Sequence, residues 1–444
     1  MLLIRNAEII NERKRYKASV LLNKQRIEAI YKENIPDEIL THSEIVNAEG
    51  LWLLPGMIDD QVHFREPGLT HKADIYSESR AAIAGGITSY MDMPNTIPQT
   101  TTVENLNQKF DRAKETSMAN YSFFIGATNE NLNELKRKGA RRAAAVKVFM
   151  GSSTGNMLVD DETVLDRIFS EVNQIIAAHC ESESIIAENK EKYIKEQGSE
   201  LDVRFHPCIR SAEACYASSL EAVRLAKKHN ARLHLFHLST EKEISLLEAN
   251  PLPEKRITSE VCVHHLWFTD EDYEQKGNLI KWNPAIKSRA DRDALRKALI
   301  EGRIDLVATD HAPHTLKEKQ GSCLLAASGG PMVQHALVVM LELAKQGVFT
   351  PELVVEKTAH NPAILFGIQD RGFIREGYYA DLVLIDPNQS WIVAKENLFY
   401  KCGWSPLEGE VFSHKIIKTI VNGHIVYDDG TFDENFRGGE LCCK

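Results

Sequence analysis

The sequence lacks the features that mark membrane, secreted or nucleic-acid-binding proteins. None of its apolar runs is long enough to span a bilayer. The opening MLLIRNAEII places Arg5 inside the segment that a secretory signal would need to keep apolar, so we expect no such signal. The formal net charge is −10 and the pI about 5.9. No basic excess therefore favours a nucleic-acid or anionic-membrane partner, and we expect neither.

Cysteine is present but forms no recognisable framework. The eight cysteines include the adjacent pair Cys442–Cys443, and none belongs to a Cys-x-x-Cys motif. A structural zinc ribbon is therefore not expected. We expect reduced thiols in a cytoplasmic protein. The sequence also contains no internal repeat and no low-complexity tract.

The two ends of the chain share a β-rich pattern. Residues 1–53 contain short β-like runs without a persistent helical period, which predicts a small antiparallel sheet. From about Gly372 the same pattern returns, in GYYADLVLIDP and IKTIVNGHIVYDDG. We therefore predict a small β-sandwich domain formed by residues 1–53 and 372–444, with a larger domain over residues 54–371 inserted between them. The last residues, 434–444, are expected to be loosely ordered.

Between the ends, apolar strand-like runs alternate with amphipathic helical runs. The strand candidates are LWLLPGMIDDQVH, ITSYMDMPN, YSFFIGAT, AAVKVFM, IIAAHCE, RLHLFHLS, RITSEVCVHHL and DLVATDHAPH. The helical segments include Ala73–Ala84, Val103–Glu115, Asp160–Glu171, Ser211–Lys228, Arg289–Ile300 and Pro331–Lys345. Eight strand-then-helix units predict an α/β fold of the (β/α)₈ TIM-barrel type.

Polar residues lie near the carboxyl ends of six of the eight strand candidates. They are His63 and Arg65, Asn95, Lys147, His179, His237, and Asp310 with His311 and His314. In a barrel these ends face one mouth, where active sites are built. A lone His on an apolar strand is more often a hydrogen-bonded core residue than a metal ligand. We expect that simpler role for His234 and for one or both of His264 and His265.

Lys147 is the hardest of these residues to explain as part of a core. A lone buried lysine is costly, so it must lose its proton or find a partner. A neutral lysine amine can take up carbon dioxide and form a carbamate, which is an anionic ligand able to bridge two metal ions. Histidines, an aspartate and such a carbamate would hold zinc-like ions at a mouth open to substrate.

Arg65 has a different expected role, because arginine is not a usual zinc ligand. It lies two residues after His63, and its guanidinium group can pair a carboxylate in a bidentate manner. We therefore expect it to bind an anionic group of a substrate. The alternative is a structural salt bridge with Glu66, which we favour less.

Several of these stretches together resemble the dihydroorotases, in the cyclic-amidohydrolase group of the amidohydrolase superfamily. The matching stretches are PGMIDDQVHFREPG, MDMPNTIPQTTT, KVFM, AAHCE, LFHLST, KWNPAIKSRADRDAL and ATDHAPH. HFREPG together with MPNT is the specific part, whereas the HCE and TDHAPH elements are shared more widely. The terminal β-rich pieces resemble the small β domain of that group, so the resemblance covers nearly the whole chain.

The resemblance implies a role for each matching residue. The implied metal ligands are His63 and Asp310 for one ion, His179 and His237 for a second, and carboxylated Lys147 as the bridge between them. The implied substrate-binding residues are Arg65, Asn95 and His314 for a carboxylate, and Asn283 for the ring. Asp310 would also act as general base and then as general acid. One or two zinc ions per chain are implied as the cofactor.

One residue departs from the pattern of the family. The usual first-strand element is Asp-x-His-x-His, whereas this chain has Gln61 at the position of the first His. A Gln carbonyl is a weak zinc ligand beside an imidazole. We therefore expect the first metal site to be weak, altered or empty, and the second site to carry the chemistry in that case. The loop GSSTGNM after Lys147 is expected to be mobile, with Ser153 or Thr154 reaching the substrate as it closes.

The implied reaction is the reversible ring opening of dihydroorotate to N-carbamoyl-aspartate, by metal-activated hydroxide, in de novo pyrimidine biosynthesis. A hydantoinase or allantoinase is the alternative within enzymes, since it would share the metal residues but would need no carboxylate clamp. A non-catalytic interaction protein on the same scaffold is the alternative from another class. Gln61 favours it, whereas the retained Lys147 and Asp310 oppose it. A small-molecule substrate and a homodimer are the expected partners.

Overall fold

The structure is a computed structural model that describes residues 1–151 and 157–443. Its strands, in chain order, are β1 (Leu2–Asn11), β2 (Lys14–Asn23), β3 (Arg26–Tyr31), β4 (Glu44–Asn47), β5 (Trp52–Pro55), β6 (Met57–Val62), β7 (Ile87–Asp92), β8 (Asn120–Phe123), β9 (Ile125–Gly126), β10 (Val146–Phe149), β11 (Ile176–His179), β12 (Leu233–Leu235), β13 (Ile257–Cys262), β14 (Leu306–Ala308), β15 (Leu382–Asp386), β16 (Trp391–Ile392), β17 (Val411–Phe412), β18 (Lys415–Val421), β19 (His424–Asp428) and β20 (Thr431–Phe432).

The helices surround the strands of the central part of the chain. They are α1 (Asp37–His42), α2 (Ile75–Ala84), α3 (Val103–Thr116), α4 (Leu132–Leu135), α5 (Glu162–Glu171), α6 (Glu183–Gln197), α7 (His206–Ile209), α8 (Ala212–His229), α9 (Glu241–Ile244), α10 (Val263–Trp267), α11 (Tyr273–Lys276), α12 (Arg289–Ile300), α13 (Ala336–Lys345), α14 (Pro351–Val355) and α15 (Asn361–Leu365). No helix in the described ranges is long and apolar enough to cross a bilayer.

Strands from both chain ends form one nine-stranded sheet. Its order is β20-β19-β18-β15-β5-β1-β2-β3, with β4 also paired to β1. The pairings of β1 with β4 and with β5 are parallel, and the others are antiparallel. The predicted contribution of both ends to one β-rich unit is therefore confirmed, whereas the exact domain limits remain a prediction.

The first strand candidate, LWLLPGMIDDQVH, is two strands in the structure. Its first half, β5, pairs with β15 in the end sheet, and its second half, β6, pairs with β7 in the barrel. Gly56 lies between them, where a Cβ would lie 2.2 Å from Cγ2 of Thr88. Only glycine fits this close approach, so the predicted single strand changes sheets at this residue.

The central strands form the predicted parallel barrel. One part has the order β6-β7-β8 and the other β14-β13-β12-β11-β10-β9, and Phe124 alone separates β8 from β9. A parallel bridge joins Val62 to His311, and the backbone N–H of His63 donates to the carbonyl of His311 at 2.7 Å. These contacts join the first barrel strand to the end of the last, so the predicted α/β barrel fold is confirmed.

Helix boundaries agree well with the periodicity of the sequence, but one strand candidate was too long. Helix α12 begins at Arg289 as predicted, because Ser288 accepts from the backbone N–H of Asp291 and caps it. In the run RITSEVCVHHL, by contrast, the strand ends at Cys262 and residues Val263–Trp267 form α10. An apolar run does not reveal by itself where a strand ends and a buried helix begins.

The C-terminal segment is ordered against the barrel, so the expectation of a loose tail was wrong. The backbone N–H of Tyr121 donates to Gly439 O at 3.0 Å, and that of Leu441 donates to Tyr121 O at 2.8 Å. Leu441 is only 2% exposed, and Glu440 forms an ion pair with Arg142. The segment thus pairs alongside β8 of the barrel, and Leu441 anchors it with a buried apolar side chain.

We predict that Leu441→Ala lowers the free energy of unfolding by roughly 2–4 kcal/mol, because it removes a buried side chain and leaves a cavity. The matched control is Leu325→Ala, since Leu325 is 74% exposed and its loss should change stability by less than about 0.5 kcal/mol. Thermal and denaturant unfolding of the two variants make the comparison. Equal stability of the two variants would show that the tail does not anchor the fold.

Candidate functional site

A cavity of about 800 Å³ opens at the mouth of the barrel. Ten of the residues to which the sequence assigned a role line it, namely Gln61, His63, Arg65, Asn95, Lys147, His179, His237, Asn283, Asp310 and His314. Their convergence follows from parallel strand direction, because the carboxyl ends of all barrel strands face the same mouth. The structure therefore shows where these residues lie, while their individual roles remain predictions.

Three residues at this mouth have a strained backbone. Arg65, His237 and Asp310 have positive φ angles of 65°, 38° and 42°. Side chains other than glycine rarely adopt this region, and residues held in it cluster at functional sites. The sequence gives no signal of this strain.

His63 and Asp310 face each other across the closed seam of the barrel. The Nε2 atom of His63 lies 3.1 Å from Oδ1 of Asp310, and its Nδ1 lies 2.8 Å from Oδ1 of Asn95. Because an amide oxygen only accepts, Nδ1 of His63 donates to Asn95. Nε2 then faces the Asp310 carboxylate, and either a proton or a metal ion can lie between these two atoms.

The position of Asp310 is set by Asp59, the first residue of the first-strand motif. The backbone N–H and the hydroxyl of Thr309 both donate to the Asp59 carboxylate, at 3.1 Å and 2.6 Å. Burial raises the pKa of Asp59 to about 8. This contact fixes the residue next to Asp310 and so orients the end of the last barrel strand.

His179 and His237 form a second pair. Nδ1 of His179 lies 2.9 Å from Nε2 of His237, while Nε2 of His179 lies 2.9 Å from the carboxylate of Glu181. Burial opposes ionisation of Glu181, but Arg210 and His179 outweigh burial and lower its pKa. The ionised Glu181 accepts from Nε2, which leaves the lone pair of His179 on Nδ1 facing His237. Metal-binding histidines typically have such a carboxylate partner.

Lys147 lines the same cavity and is 1% exposed. Its amine has no hydrogen-bond partner among the described residues and lies 3.8 Å from the ring centroid of Phe236. Burial lowers the pKa of Lys147 to about 7, although Glu260 and Asp310 act to raise it. A large fraction of this amine is therefore neutral at neutral pH, as carbamate formation requires.

Two groups of buried residues outside the predicted set also have the donor atoms to hold a metal ion. One contains Asp60, His234 and Glu260, and the other contains Cys262, His264 and His265. In each group the candidate ligand atoms lie within 4.8 Å of one another. Neither group includes a predicted metal ligand.

The first group surrounds His234, which was expected to be a hydrogen-bonded core residue. Its Nδ1 lies 2.9 Å from the hydroxyl of Thr258, and its Nε2 lies 3.4 Å from Glu260 and 3.5 Å from Asp60. Burial and the neighbouring Asp60 raise the pKa of Glu260 well above its ordinary value. A protonated Glu260 beside Asp60 and His234 accounts for this group without a metal.

Arg65 places a buried positive charge at the cavity wall. It is 7% exposed, its Nε donates to Pro313 O at 3.1 Å, and burial lowers its pKa to about 10, which leaves it charged at neutral pH. The alternative of a salt bridge with Glu66 was wrong, because Glu66 pairs with Arg112 at 2.6 Å. In the described part of the chain no carboxylate forms an ion pair with Arg65.

His314 lies between two cationic side chains. Its Nε2 is 3.2 Å from Arg65 and its Nδ1 is 3.1 Å from the amine of Lys72. Burial lowers the pKa of His314, and Arg65 and Lys72 lower it further, so the ring is neutral. Lys72 lines the cavity but was missed by the sequence analysis, since the stretch after HFREPG shows no strand-end pattern. Ser153 and Thr154, which were expected to reach the substrate, lie outside the described residues.

The residues that line the cavity can therefore hold cations and also an anion. The facing side chains of His63 with Asp310 and of His179 with His237, together with the unpartnered Lys147 amine, fit a metal centre. Gln61 fits less well, because its Oε1 lies 3.7 Å from the thiol of Cys262. The unpaired Arg65 fits a carboxylate.

Known proteins resemble the chain over nearly its whole length. Residues 52–426 match the model of the Amidohydrolase family. The chain is 35% identical to a dihydroorotase of Halobacterium salinarum over 379 residues, covering 85% of this chain and 87% of that protein. It is 32% identical to a dihydroorotase of Methanosarcina acetivorans, covering 99% and 94%.

Relatives with other activities are nearly as similar. An allantoinase of Bacillus velezensis is 32% identical over 393 residues, which cover 87% of this chain and 86% of that protein. The solved structure of an L-hydantoinase from Arthrobacter aurescens superposes with a TM-score of 0.91 at 24% identity, and covers 97% of both chains. These matches support the barrel fold. The choice among ring substrates must therefore be argued from the residues that line the cavity.

Proposed function

The chain belongs to the amidohydrolase family, and within it we propose that the protein is a dihydroorotase. The reaction would be the reversible hydrolysis of the cyclic amide of dihydroorotate to N-carbamoyl-aspartate, in de novo pyrimidine biosynthesis. Relatives of that name at 35% and 32% identity support this choice. We also propose a cytoplasmic homodimer, and the eight free thiols support a reducing compartment.

The single observation that carries the proposal is the buried charge of Arg65 without a carboxylate partner. Leaving a buried guanidinium unpaired is costly, so the site favours a ligand that brings an anion. Dihydroorotate carries a carboxylate on its ring, whereas hydantoin and allantoin carry none. Neutral His314 and the amide of Asn95 line the same cavity and can complete the clamp.

A metal centre is the second part of the proposal. His63 with Asp310 would hold one ion, His179 with His237 would hold another, and Lys147 as a carbamate would bridge them. The facing side chains in each pair, and the unpartnered lysine amine whose pKa burial lowers to about 7, support this set. A zinc ion bound there would supply Lewis acidity to the amide carbonyl. Gln61 makes the ion beside His63 the weaker of the two.

The residues of the chain would share the remaining work of the reaction. Arg65 would pair with the substrate carboxylate and orient the ring, and Asn283 would contact the ring amide. Asp310 would accept a proton from the water that attacks the ring carbonyl carbon. As the ring carbon–nitrogen bond breaks, Asp310 would return that proton to the leaving nitrogen. His63, held by Asn95, keeps the Asp310 carboxylate in place.

An allantoinase or hydantoinase is the second candidate, because an allantoinase relative is 32% identical. It would use the same metal residues without needing the charge of Arg65. A non-catalytic protein on this scaffold is disfavoured. Burying the side chains of Lys147 and Arg65 is unfavourable, and without a bound metal or substrate nothing would offset it.

We predict that Arg65→Ala lowers kcat/KM for dihydroorotate by roughly 10²–10³-fold, the cost of removing one partner of a buried charge pair. Bound metal should stay unchanged, because Arg65 contacts none of the proposed ligands' donor atoms. Spectrophotometric assay and elemental analysis of the purified variant measure both quantities. Arg137→Ala is the matched control, since Arg137 is half exposed and pairs only with surface glutamates. Unchanged turnover in Arg65→Ala would remove the carboxylate clamp.

We predict that Lys147→Ala loses zinc, with partial recovery of zinc and turnover in the presence of short carboxylic acids, which replace the carbamate. In wild-type protein loaded with zinc and ¹³C-bicarbonate, NMR should show a carbamate carbon that Lys147→Ala lacks. Lys227→Ala, on the outer surface of helix α8, serves as the control for loss of a lysine. Full zinc content in Lys147→Ala, or an unchanged ¹³C signal, would exclude the bridging role.

A further inference from the structure

Residues Cys262, His264 and His265 form a buried group of donor atoms directly behind the cavity wall. Each side chain is at most 3% exposed, and the candidate ligand atoms lie within 4.8 Å of one another. The group is separated from the cavity by one layer of side chains. Gln61 contacts Cys262, Trp282 stacks on His264 at 4.3 Å, and both line the cavity.

The tautomer of His265 is set for metal binding. Its Nε2 lies 3.1 Å from the carbonyl oxygen of Pro284, so Nε2 carries the proton and donates it. The lone pair is then on Nδ1, which has no hydrogen-bond partner in the described part of the chain. A histidine that donates one nitrogen to a backbone carbonyl and leaves the other free is the usual arrangement of a metal ligand.

His264 is 0% exposed and has fewer hydrogen-bond partners than His265. Neither ring nitrogen makes a hydrogen bond of good geometry within the described residues, and the backbone of Thr309 is its polar neighbour. A buried imidazole that lacks well-formed hydrogen bonds destabilises the fold. A ligand that accepts electron pairs from both histidines would remove that destabilisation.

Gln61 supplies a fourth donor at the correct distance. Its Oε1 lies 3.7 Å from Sγ of Cys262. Tetrahedral zinc with bonds of about 2.0–2.3 Å places its ligand atoms roughly 3.3–3.7 Å apart. One sulfur, two imidazole nitrogens and one oxygen form a set that suits zinc, and only a contraction of about 1 Å across the group is needed.

We propose that Cys262, His264 and His265, with the carbonyl oxygen of Gln61, form a zinc site of their own behind the cavity. Binding of a divalent cation would replace the thiol proton of Cys262, which would leave to solvent as the thiolate–metal bond forms. Gln61 would then belong to this site instead of the one beside His63. The proposal does not depend on the ring substrate of the cavity.

Cobalt substitution tests the proposal with the full chain. Metal is removed by a chelator, and Co²⁺ is added while the absorption spectrum is recorded. Only a cysteine thiolate bound to Co²⁺ gives a sulfur-to-cobalt charge-transfer band in the near ultraviolet. The cavity ligands have nitrogen and oxygen donors alone and cannot produce it. We expect the band of wild-type protein, once saturated with Co²⁺, to have the intensity of one thiolate-bound Co²⁺ per chain.

Variants assign the band to its ligands. Cys262→Ser should abolish it, and His265→Gln should weaken Co²⁺ binding at least tenfold. Cys215→Ser should leave it unchanged, since Cys215 is equally buried but contacts Ser239 and Lys287 instead. Circular dichroism confirms that each variant is folded. If Cys262→Ser does not fold, X-ray absorption of the zinc-loaded wild type should still show one sulfur at about 2.3 Å.

Two results would overturn the proposal. One is the absence of a thiolate band, and of a zinc–sulfur distance, in wild-type protein saturated with metal. The other is a band that persists in folded Cys262→Ser, which would place the thiolate at another cysteine. Neither result bears on dihydroorotate turnover, so failure of this site and failure of the proposed reaction can be told apart.

Discussion

The hydrogen bond from the His63 backbone to the carbonyl of His311 joins the first barrel strand to the last, and the candidate site depends on it. Without this closure, His63 and Asp310 would not face each other, because they belong to strands at opposite ends of the barrel sequence. Two hydrogen bonds from Thr309 to the Asp59 carboxylate join the first and last parts of the barrel at the same place. The site is therefore complete only when the barrel is closed.

The mouth of the barrel gathers more buried polar groups than the protein can satisfy by itself. The Lys147 amine and Nδ1 of His237 have no hydrogen-bond partner among the described residues, and the contact between His63 and Asp310 suits a proton or a metal ion. Arg65 lines the same cavity and needs an anion. The cavity therefore suits both a metal centre and a substrate with a carboxylate. Burying these polar groups is unfavourable, and the binding of both ligands offsets it.

The fold and the positions of the site residues could be predicted from the sequence, because both follow local patterns. Alternating strands and helices predict the barrel, and polar residues at strand ends predict the lining of its mouth. The partners of those residues could not be predicted. Glu181 holds His179 and Lys72 contacts His314 through side-chain packing that no spacing reveals. The tail was misjudged because its polar composition conceals the anchoring role of Leu441.

Turnover of ring substrates by the purified wild-type protein tests the central claim most directly. With zinc present, dihydroorotate, allantoin and hydantoin are compared by kcat/KM under identical conditions. We predict that dihydroorotate is preferred by roughly 10²-fold or more, since it alone pairs with the buried charge of Arg65. An equal or greater kcat/KM for a ring without a carboxylate would contradict it.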